Sequence, residues 1–350
     1  MQIKSEHLKS FVSEIFKSVG LTQQNSEIVA DSLVSANLRG VDSHGVTRIP
    51  IYVKRLRSGA VNPNPNVKII EESDATLLLD GDNGMGQIVG TKAIELGVKK
   101  AKQNGAVYIG VKHSTHFGTG AYFIEQAIKY DLIAYAMSNA PSTMAPWGGF
   151  QPYFGTNPYA FGIPAGKNKP IIFDMATSVV ARGKIISSEA KGEDIPLGWA
   201  IDKYGRPTTN AKEALEGSVL PFGGPKGYAI SLMIDVMSGV LTGAGFGPHV
   251  NNIYGDFDKS QNVGHFFQLI DINRFMSPDQ FKERVDMMID EIKTAPKAEG
   301  VEEILLPGEI ELNIEKDRLQ NGINLGREVY ESIKEVGLEV GVDIETYQTL

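Results

Sequence analysis

Apolar side chains recur at helical spacing through the first part of the chain. Between residues 5 and 19 they return every three or four positions, which is the pattern of one buried helix face. The same spacing runs from Ile28 to Leu38 and again through Ile51 and Leu56. Two prolines and three asparagines between residues 61 and 66 then interrupt it, as is typical of a connector. The pattern predicts an N-terminal helical part over residues 1–70.

A different pattern follows, in which short β-like runs alternate with helical stretches. The β-like runs span residues 76–79, 107–111, 132–137 and 171–173, and the helical stretches span 88–103, 119–130 and 227–241. This alternation predicts an α/β domain with a central sheet, which we place at residues 71–250. Residues 251–309, with an amphipathic helix at 278–295, are predicted as a smaller α/β part. A helical C-terminal part, about 310–350, is predicted to complete the N-terminal helical domain by packing against it.

Composition narrows the class of protein. The 350 residues are 42% hydrophobic and 22% charged, with a formal net charge of −8. That balance is ordinary for a globular protein and argues against nucleic acid or an anionic membrane as the main partner. Cysteine is absent, which excludes disulfides, thiolate metal sites and a cysteine nucleophile in this sequence. The chain has no long apolar run and no apolar signal core, so the expected location is the cytoplasm.

The candidate chemistry is concentrated in two short segments, which hold three of the six histidines. His44 follows Ser43 and stands one turn before Arg48, while His113 and His116 enclose a Ser-Thr pair. An imidazole exchanges a proton near neutral pH, and a guanidinium fork suits a carboxylate. This combination fits the chemistry of a small hydroxy or keto acid. The alternative is a helix cap, a surface arginine and hydrogen-bonded structural histidines. We assign a functional role to His116 and a structural one, hydrogen-bonded to backbone, to His113.

Three further segments have both a functional and a structural interpretation. Residues 81–87 lack the third glycine of a dinucleotide-binding fingerprint, since Val89 occupies that position, so they are predicted as a tight turn into a helix. Asn157 and Asp174 border apolar runs, where they suit either ribose and amide binding or turn and capping roles. Lys226 stands at a predicted helix N-terminus, where a cation is unfavourable unless a phosphate is bound.

No metal site is predicted, because His113 and His116 are three positions apart without the neighbouring ligands that a zinc site needs. On the residues alone, two other classes of function stay open. One is a metal-dependent hydrolase that uses His44, His113, His116 and Asp174. The other is a ligand-binding protein without catalysis, whose histidines are structural.

Six motifs follow one another along the chain. They are Ser43-His44-Gly45 with Arg48, His116-Phe117-Gly118, Gly155-Thr156-Asn157-Pro158, Asp174-Met175-Ala176-Thr177, Gly224-Pro225-Lys226-Gly227-Tyr228 and Pro307-Gly308-Glu309. In this order they resemble the type 2 malate/L-lactate dehydrogenase family, and the likeness extends over nearly the whole chain. That family includes ureidoglycolate, sulfolactate and diketogulonate dehydrogenases and a cyclic imine reductase. The ureidoglycolate branch carries a serine and an acidic residue where this chain has Ala140-Pro141, which weakens ureidoglycolate as the substrate.

The resemblance implies an NAD(P)-binding central sheet that is distinct from the Rossmann fold, and an intertwined homodimer with its active site between domains. It implies NAD or NADP as the cofactor, with NAD favoured. It also implies that His116 is the catalytic acid/base, that His44 is a proton donor and that Arg48 binds the substrate carboxylate, with Ser43 and Tyr52 in the same pocket. The implied cofactor contacts are Asn157, Asp174, Met175, Ala176, Lys226, Gly227, Pro307, Gly308 and Glu309.

The expected function is therefore that of an NAD(P)-dependent 2-hydroxy-acid dehydrogenase. It would transfer a hydride reversibly between nicotinamide and a small malate- or lactate-like acid. The expected partners are this carboxylate substrate and a second copy of the chain, without nucleic acid or membrane. Alternatives on the same site are ureidoglycolate or sulfolactate as substrate, or the reduction of a cyclic imine or a bulkier keto acid.

Overall fold

The structure, a computed structural model, describes residues 1–347. Its helices are α1 (Ser5–Ser18), α2 (Gln23–Leu38), α3 (Ile49–Arg57), α4 (Gly86–Asn104), α5 (Gly120–Ile128), α6 (Arg182–Lys191), α7 (Ala211–Glu216), α8 (Pro225–Asp235), α9 (Pro278–Thr294), α10 (Glu309–Asn321) and α11 (Arg327–Glu339). Its strands are β1 (Gln2–Ile3), β2 (Lys68–Glu72), β3 (Thr76–Asp80), β4 (Ala106–Ser114), β5 (Leu132–Ser138), β6 (Tyr159–Ile163), β7 (Ile171–Met175), β8 (Ala200–Ile201), β9 (Pro207–Thr208), β10 (Ser218–Val219), β11 (Val263–Asp271) and β12 (Ile323–Asn324).

A seven-stranded sheet forms the centre of the fold, in the order β2-β3-β4-β11-β5-β6-β7. β3 and β4, which α4 connects, run parallel, and the other neighbouring strands of this sheet are antiparallel. The sequence therefore predicted the mixed α/β class and the central sheet correctly. The middle strand β11 was not predicted, and it comes from the segment 251–309, where the periodicity indicated only a helix.

Different helices cover the two faces of this sheet. Phe267 on β11 is fully buried together with Phe123 of α5 and Val89 of α4. The neighbouring Phe266 is instead buried against Ile234 of α8. Because successive side chains of a strand point to opposite faces, α4 and α5 pack on one face and α8 packs on the other.

The N-terminal helices share one apolar core with the C-terminal helix α11. Phe11 of α1 and Leu33 of α2 are fully buried there, beside Tyr330 of α11. The predicted C-terminal helical stretch is divided in two by Gly322, whose φ of +89° ends α10 and leads into β12. The last part of the predicted segment, residues 348–350, lies outside the described residues.

A second, three-stranded sheet has the order β10-β8-β9. It packs with α6 and α7 around a small core that includes Met144, Ile185 and Val219. None of these elements was predicted. The three strands have two residues each, and strands this short carry no detectable periodicity.

Candidate active site

The loop that carries His116 begins where β4 ends and runs to the start of α5. A bulge lies just before it, because Val111 pairs with His265 of β11 and Ser114 pairs with Val263. His113, inside the bulge, has a φ of +52°, a conformation that side-chain-bearing residues seldom adopt. The bulge bends the end of β4 and so directs residues 115–119 away from the sheet.

His116 lies among polar groups from three parts of the chain. Its Nδ1 atom is 2.6 Å from the hydroxyl oxygen of Tyr52 on α3, and its backbone N–H donates to Oε1 of Gln261 at 3.1 Å. The imidazole of His44 stacks on it, with ring centroids 5.4 Å apart and an interplanar angle of 26°. Within residues 1–347, no group hydrogen-bonds the Nε2 atom of His116, which is therefore free to meet a substrate.

Arg48 lies close enough to the two stacked histidines for its charge to lower the pKa of both. Its Nε donates to the carbonyl oxygen of Ser43 at 2.7 Å, and its Nη1 donates to the hydroxyl of Tyr254 at 2.5 Å. Among residues 1–347 the guanidinium forms no ion pair with a carboxylate. A half-buried arginine of this kind, held in place but not neutralised, fits an incoming carboxylate.

The turn before Arg48 is fixed by a buried amide. Asn37 of α2 accepts the N–H of Val46 at 2.8 Å, and its side chain fills the space in front of Gly45. A Cβ at Gly45 would overlap that amide, so glycine is required there by close packing. The sequence-predicted segment Ser43 to Arg48 is thereby placed against the His116 loop.

Burial and the charge of Arg48 keep both histidines neutral. Burial, together with Arg48, lowers the pKa of His44 to about 4. Burial, Arg48 and the other histidines also hold the pKa of His116 well below its usual value. Burial raises the pKa of the Tyr52 hydroxyl to about 12. Near pH 7 the site therefore contains one cation, the guanidinium of Arg48, and uncharged imidazole and phenol groups. The Tyr52 phenol is hydrogen-bonded to the imidazole of His116.

Two other histidines near the site hydrogen-bond polar side chains. His113 is part-exposed, and its Nδ1 is 2.9 Å from a carboxylate oxygen of Asp80. The predicted hydrogen bond to the backbone is therefore wrong, because the partner of the His113 side chain is a carboxylate, and the structural role of His113 stays a prediction. His265 is fully buried, with its nitrogens 2.9 Å and 2.8 Å from the hydroxyls of Ser138 and Ser114. Burial lowers the pKa of His265 to about 3, so this ring is a neutral bridge across three strands.

Several predicted cofactor contacts lie along the outer edge of the sheet. Asp174 is the second-last residue of β7, and its carboxylate accepts the N–H of Ala121 in the first turn of α5 at 2.9 Å. The turn Pro307-Gly308-Glu309 packs beside the same strand, where the carbonyl of Pro307 accepts the N–H of Ile172 at 3.3 Å. Gly308 has a φ of +84°, and a Cβ there would strike the backbone of Ile172.

The remaining predicted cofactor contacts differ in whether their side chains already have partners within the protein. Both ends of the buried Asn157 amide are used, because Oδ1 accepts the N–H of Ala140 and Nδ2 donates to the carbonyl of Ser231, each at 3.0 Å. Met175 and Ala176 are part-exposed at the end of β7. Glu309 pairs with Lys293 at 2.6 Å. Asn157 and Glu309 therefore shape this region more than they offer free ligand atoms.

Lys226 and the start of α8 fit a phosphate group. The first turn of α8 holds no acidic residue, and no side chain caps it. Lys226 is exposed there and has no ion-pair partner among residues 1–347. Gly227 permits close packing, since a Cβ would strike the backbone of Phe222. An unneutralised ammonium group beside open helix N–H groups is the donor set that binds anionic phosphates.

Two features of residues 1–347 bear on other functions. In residues 1–347, His, Asp and Glu side chains form no group of three that could hold a metal ion, so His44, His113, His116 and Asp174 do not make a joint metal site there. No helix in the same part of the chain has the length and apolarity needed to span a membrane.

Three site residues were missed by sequence reasoning. Gln87 on α4, Tyr254 and Gln261 each hydrogen-bond a predicted site residue. Gln87 ends the glycine-rich turn at residues 81–87, which is indeed a tight turn into a helix, so its position gave one available signal. Tyr254 and Gln261 lie in an irregular segment far along the chain, where no local pattern marks them.

Comparison with known proteins connects this geometry to one family. A family model described as malate/L-lactate dehydrogenase matches residues 3–334. The chain is 41% identical over 347 residues to the L-sulfolactate dehydrogenase of Methanocaldococcus jannaschii, across 99% of each protein. It is 40% identical over 351 residues to a malate dehydrogenase of Pyrococcus horikoshii, across 98% of this chain and 96% of the relative. An Escherichia coli ureidoglycolate dehydrogenase (NAD(+)) is 34% identical over 333 residues, across 95% and 94%. The solved structure of the M. jannaschii sulfolactate dehydrogenase superposes with a TM-score of 0.93 over 99% of each chain.

Proposed function

Because the chain belongs to the malate/L-lactate dehydrogenase family of oxidoreductases, we propose that the site around His116 oxidises a small 2-hydroxy acid and reduces the matching keto acid. The observation that carries this proposal is the arrangement of Arg48. It is a guanidinium without a carboxylate partner among residues 1–347, beside two imidazoles that are kept neutral. A 2-hydroxy acid brings the missing carboxylate and one exchangeable proton.

Arg48 and its neighbours hold the substrate. The guanidinium is fixed by Ser43 and Tyr254 and retains free N–H groups for a carboxylate. His44 stacks on His116 and is anchored by the Ser43 hydroxyl, 3.0 Å from its Nδ1. We propose that His44 is a proton donor and that Ser43, which hydrogen-bonds its ring, orients it, since a proton donor must be within hydrogen-bond reach of its acceptor. Tyr52 completes the pocket through its contact with His116.

His116 exchanges the proton. In the reducing direction the doubly protonated imidazolium of His116 hydrogen-bonds the keto oxygen through its Nε2–H and supplies that proton as the oxygen becomes a hydroxyl, which leaves the ring neutral. In the oxidising direction the unprotonated nitrogen accepts the proton of the 2-hydroxyl. Carboxylate binding neutralises Arg48, which removes one cause of the lowered pKa of His116 and so eases its protonation.

A nicotinamide cofactor supplies the hydride acceptor or donor. Lys226 with the start of α8 is proposed to hold a phosphate, and Asp174 with the adjoining residues Met175 and Ala176 is proposed to line the remainder of the cofactor. Pro307, Gly308 and Glu309 would line the same edge beside β7. We favour NAD, the cofactor named for the related ureidoglycolate dehydrogenase.

The proposal extends to the domains and the assembly. We propose that residues 71–250 bind the cofactor on a sheet distinct from the Rossmann fold, which the mainly antiparallel strand pairing supports. The helical parts 1–70 and 310–350 would form the second domain, and residues 251–309 would be the smaller part, which contributes its strand β11 to the cofactor-binding sheet. A homodimer is supported by exposed apolar side chains on α8 and the turn after it, among them Val236, Val240 and Leu241. A cytoplasmic location remains a prediction.

A panel of acids tests the function. The purified protein is assayed with NAD and with NADP against malate, lactate, sulfolactate and ureidoglycolate, and in reverse against keto acids and a cyclic imine, following the absorbance of the reduced nicotinamide. We expect turnover of a small 2-hydroxy acid, with malate and sulfolactate preferred in line with the relatives. Turnover of the cyclic imine alone would move the assignment to imine reduction, and no turnover of any compound would contradict it.

Replacing Arg48 with lysine is expected to raise KM for the acid by about 10-fold or more, with a smaller effect on kcat. A lysine keeps the positive charge but cannot form the bidentate hydrogen bonds that a guanidinium makes to a carboxylate. Steady-state kinetics on the preferred acid measure both constants. Arg57→Lys is the matched control. Arg57 is the last residue of α3, the helix that begins directly after Arg48, and it is exposed and paired with Glu339. A KM for the acid that does not change in Arg48→Lys would remove the clamp role.

A further inference from the structure

A buried amide lies behind the proposed acid/base. Gln87, in the first turn of α4, is fully buried, and its Nε2 donates to the hydroxyl oxygen of Tyr52 at 3.2 Å. The same hydroxyl lies 2.6 Å from Nδ1 of His116. Gln87, Tyr52 and His116 therefore form a hydrogen-bonded chain, which we call the Gln87 relay. It ends on the imidazole nitrogen that faces away from the free Nε2 atom.

The donors in this relay have a direction. Because an amide N–H of Gln87 donates to the Tyr52 oxygen, the Tyr52 hydroxyl is left to donate its own hydrogen to Nδ1 of His116. A second group agrees with this direction: the backbone N–H of Gly118, which can only donate, points at the same Nδ1 at 3.4 Å. Nδ1 is thus an acceptor from two sides, and the proton of the neutral ring lies on Nε2.

The other end of the amide is unsatisfied. Oε1 of Gln87 is buried and has no hydrogen-bond partner among residues 1–347. A half-turn of the amide would exchange its two ends and present Oε1 to Tyr52. The hydroxyl would then donate to Gln87 and accept from an N–H at Nδ1, which leaves a lone pair on Nε2. The two amide orientations correspond to the two tautomers of His116.

We propose that Gln87 is a positioning residue that selects the tautomer of His116 through Tyr52, and thereby decides whether the site binds a keto or a hydroxy group at Nε2. In the orientation seen, Nε2–H donates a hydrogen bond and suits a keto oxygen. In the rotated orientation, the Nε2 lone pair accepts one and suits a hydroxyl. This role rests on the proposed function only for the identity of the ligand, since the tautomer itself is a property of the protein.

Nitrogen-15 NMR of the full-length protein, labelled in histidine, tests the tautomer directly. Long-range proton–nitrogen correlations distinguish a protonated from an unprotonated ring nitrogen, and His116 is assigned by the signals lost in His116→Ala. In the wild-type protein we expect a protonated Nε2 and an unprotonated Nδ1. Gln87→Glu places an acceptor opposite Tyr52, so we expect the protonation pattern of His116 to reverse.

Two further variants make this test decisive. Gln87→Met removes both the donor and the acceptor without adding a charge, and we expect it to populate both tautomers. Gln268→Glu is the matched control, because Gln268 also donates its amide to a tyrosine hydroxyl, that of Tyr108, at 3.4 Å. It should leave the His116 signals unchanged. A wild-type ring protonated at Nδ1, or a tautomer that is the same in both Gln87 variants, would overturn the proposal.

Binding measurements separate this inference from the function. The ratio of keto-acid to hydroxy-acid dissociation constants, measured with the substrate pair from the panel, should shift by about 10-fold toward the hydroxy acid in Gln87→Glu, as one exchanged hydrogen bond allows. The expected tautomers without any turnover would contradict the dehydrogenase assignment and leave the relay intact. Turnover together with the opposite tautomer in the wild-type protein would support the dehydrogenase assignment and overturn the role of the Gln87 relay.

Discussion

His116→Ala is expected to lower kcat by about 10²–10⁴-fold, the usual contribution of a positioned proton-transfer group. The reason is geometric. Nε2 of His116 is the free ring nitrogen beside Arg48, while Nδ1 is engaged by Tyr52 and Gly118. Cofactor affinity should change little, because the side chains proposed for the cofactor lie on β7 and α8.

Steady-state kinetics and titration of the bound reduced nicotinamide by fluorescence measure the two quantities separately. His113→Asn is the matched control, since His113 lies three residues away, pairs with Asp80 and needs a residue that tolerates a φ of +52°. Asparagine meets that need, so this variant should keep nearly full kcat. Full turnover in His116→Ala would contradict the role of His116, and an equal loss in both variants would point to a general disturbance of the loop.

The local elements of this fold were largely predictable from the sequence. The N-terminal helices and α4, α5 and α9 have apolar faces that repeat at helical spacing, and β3, β4, β5 and β7 are short apolar runs between them. Such signals depend only on neighbouring residues, because each element must bury one face against a common core. The class of fold follows from their order.

The pairing of distant segments could not be predicted in the same way. β11 inserts between β4 and β5, although it follows them by more than a hundred residues along the chain. Its own sequence, Val263 to Asp271, is apolar but begins with a glycine and a histidine at its second and third positions. Only the pairing itself gives that histidine its place between Ser114 and Ser138.

The candidate site shows the same division between local and distant information. Its chemistry-bearing groups, His44, Arg48 and His116, stood out because their residue types and neighbours are unusual. Their supports did not, because Gln261 and Tyr254 reach the site across the fold and carry no motif. What the sequence left open, namely which nitrogen of His116 faces the substrate, depends on contacts between elements that are far apart in the chain.

Gly86→Ala is expected to disable the site although residue 86 has no chemistry of its own. A Cβ at this position would overlap the carbonyl oxygen of Thr115 and lie 2.6 Å from Cα of Phe117 and 2.8 Å from the carbonyl carbon of His116. These are backbone atoms, so the whole loop must move. Overpacking of this kind costs about 1–3 kcal/mol of unfolding free energy, and a loop shift near 1 Å lowers turnover by about 10²-fold.

Urea unfolding of the purified variant gives the change in stability, and kcat measured on the folded fraction gives the change in turnover. Gly183→Ala is the matched control, because a Cβ at Gly183 meets no atom within 4 Å and lies in helix α6. Alanine favours a helix over glycine there, so that variant should be as stable as the wild type or slightly more so. The Gly86 variant should also broaden the wild-type tautomer signal of His116, because Tyr52 and Gly118 would no longer both reach Nδ1. A Gly86→Ala protein with wild-type kcat and stability would mean that the loop can move without consequence, and that the close contact between α4 and residues 115–117 does not position His116.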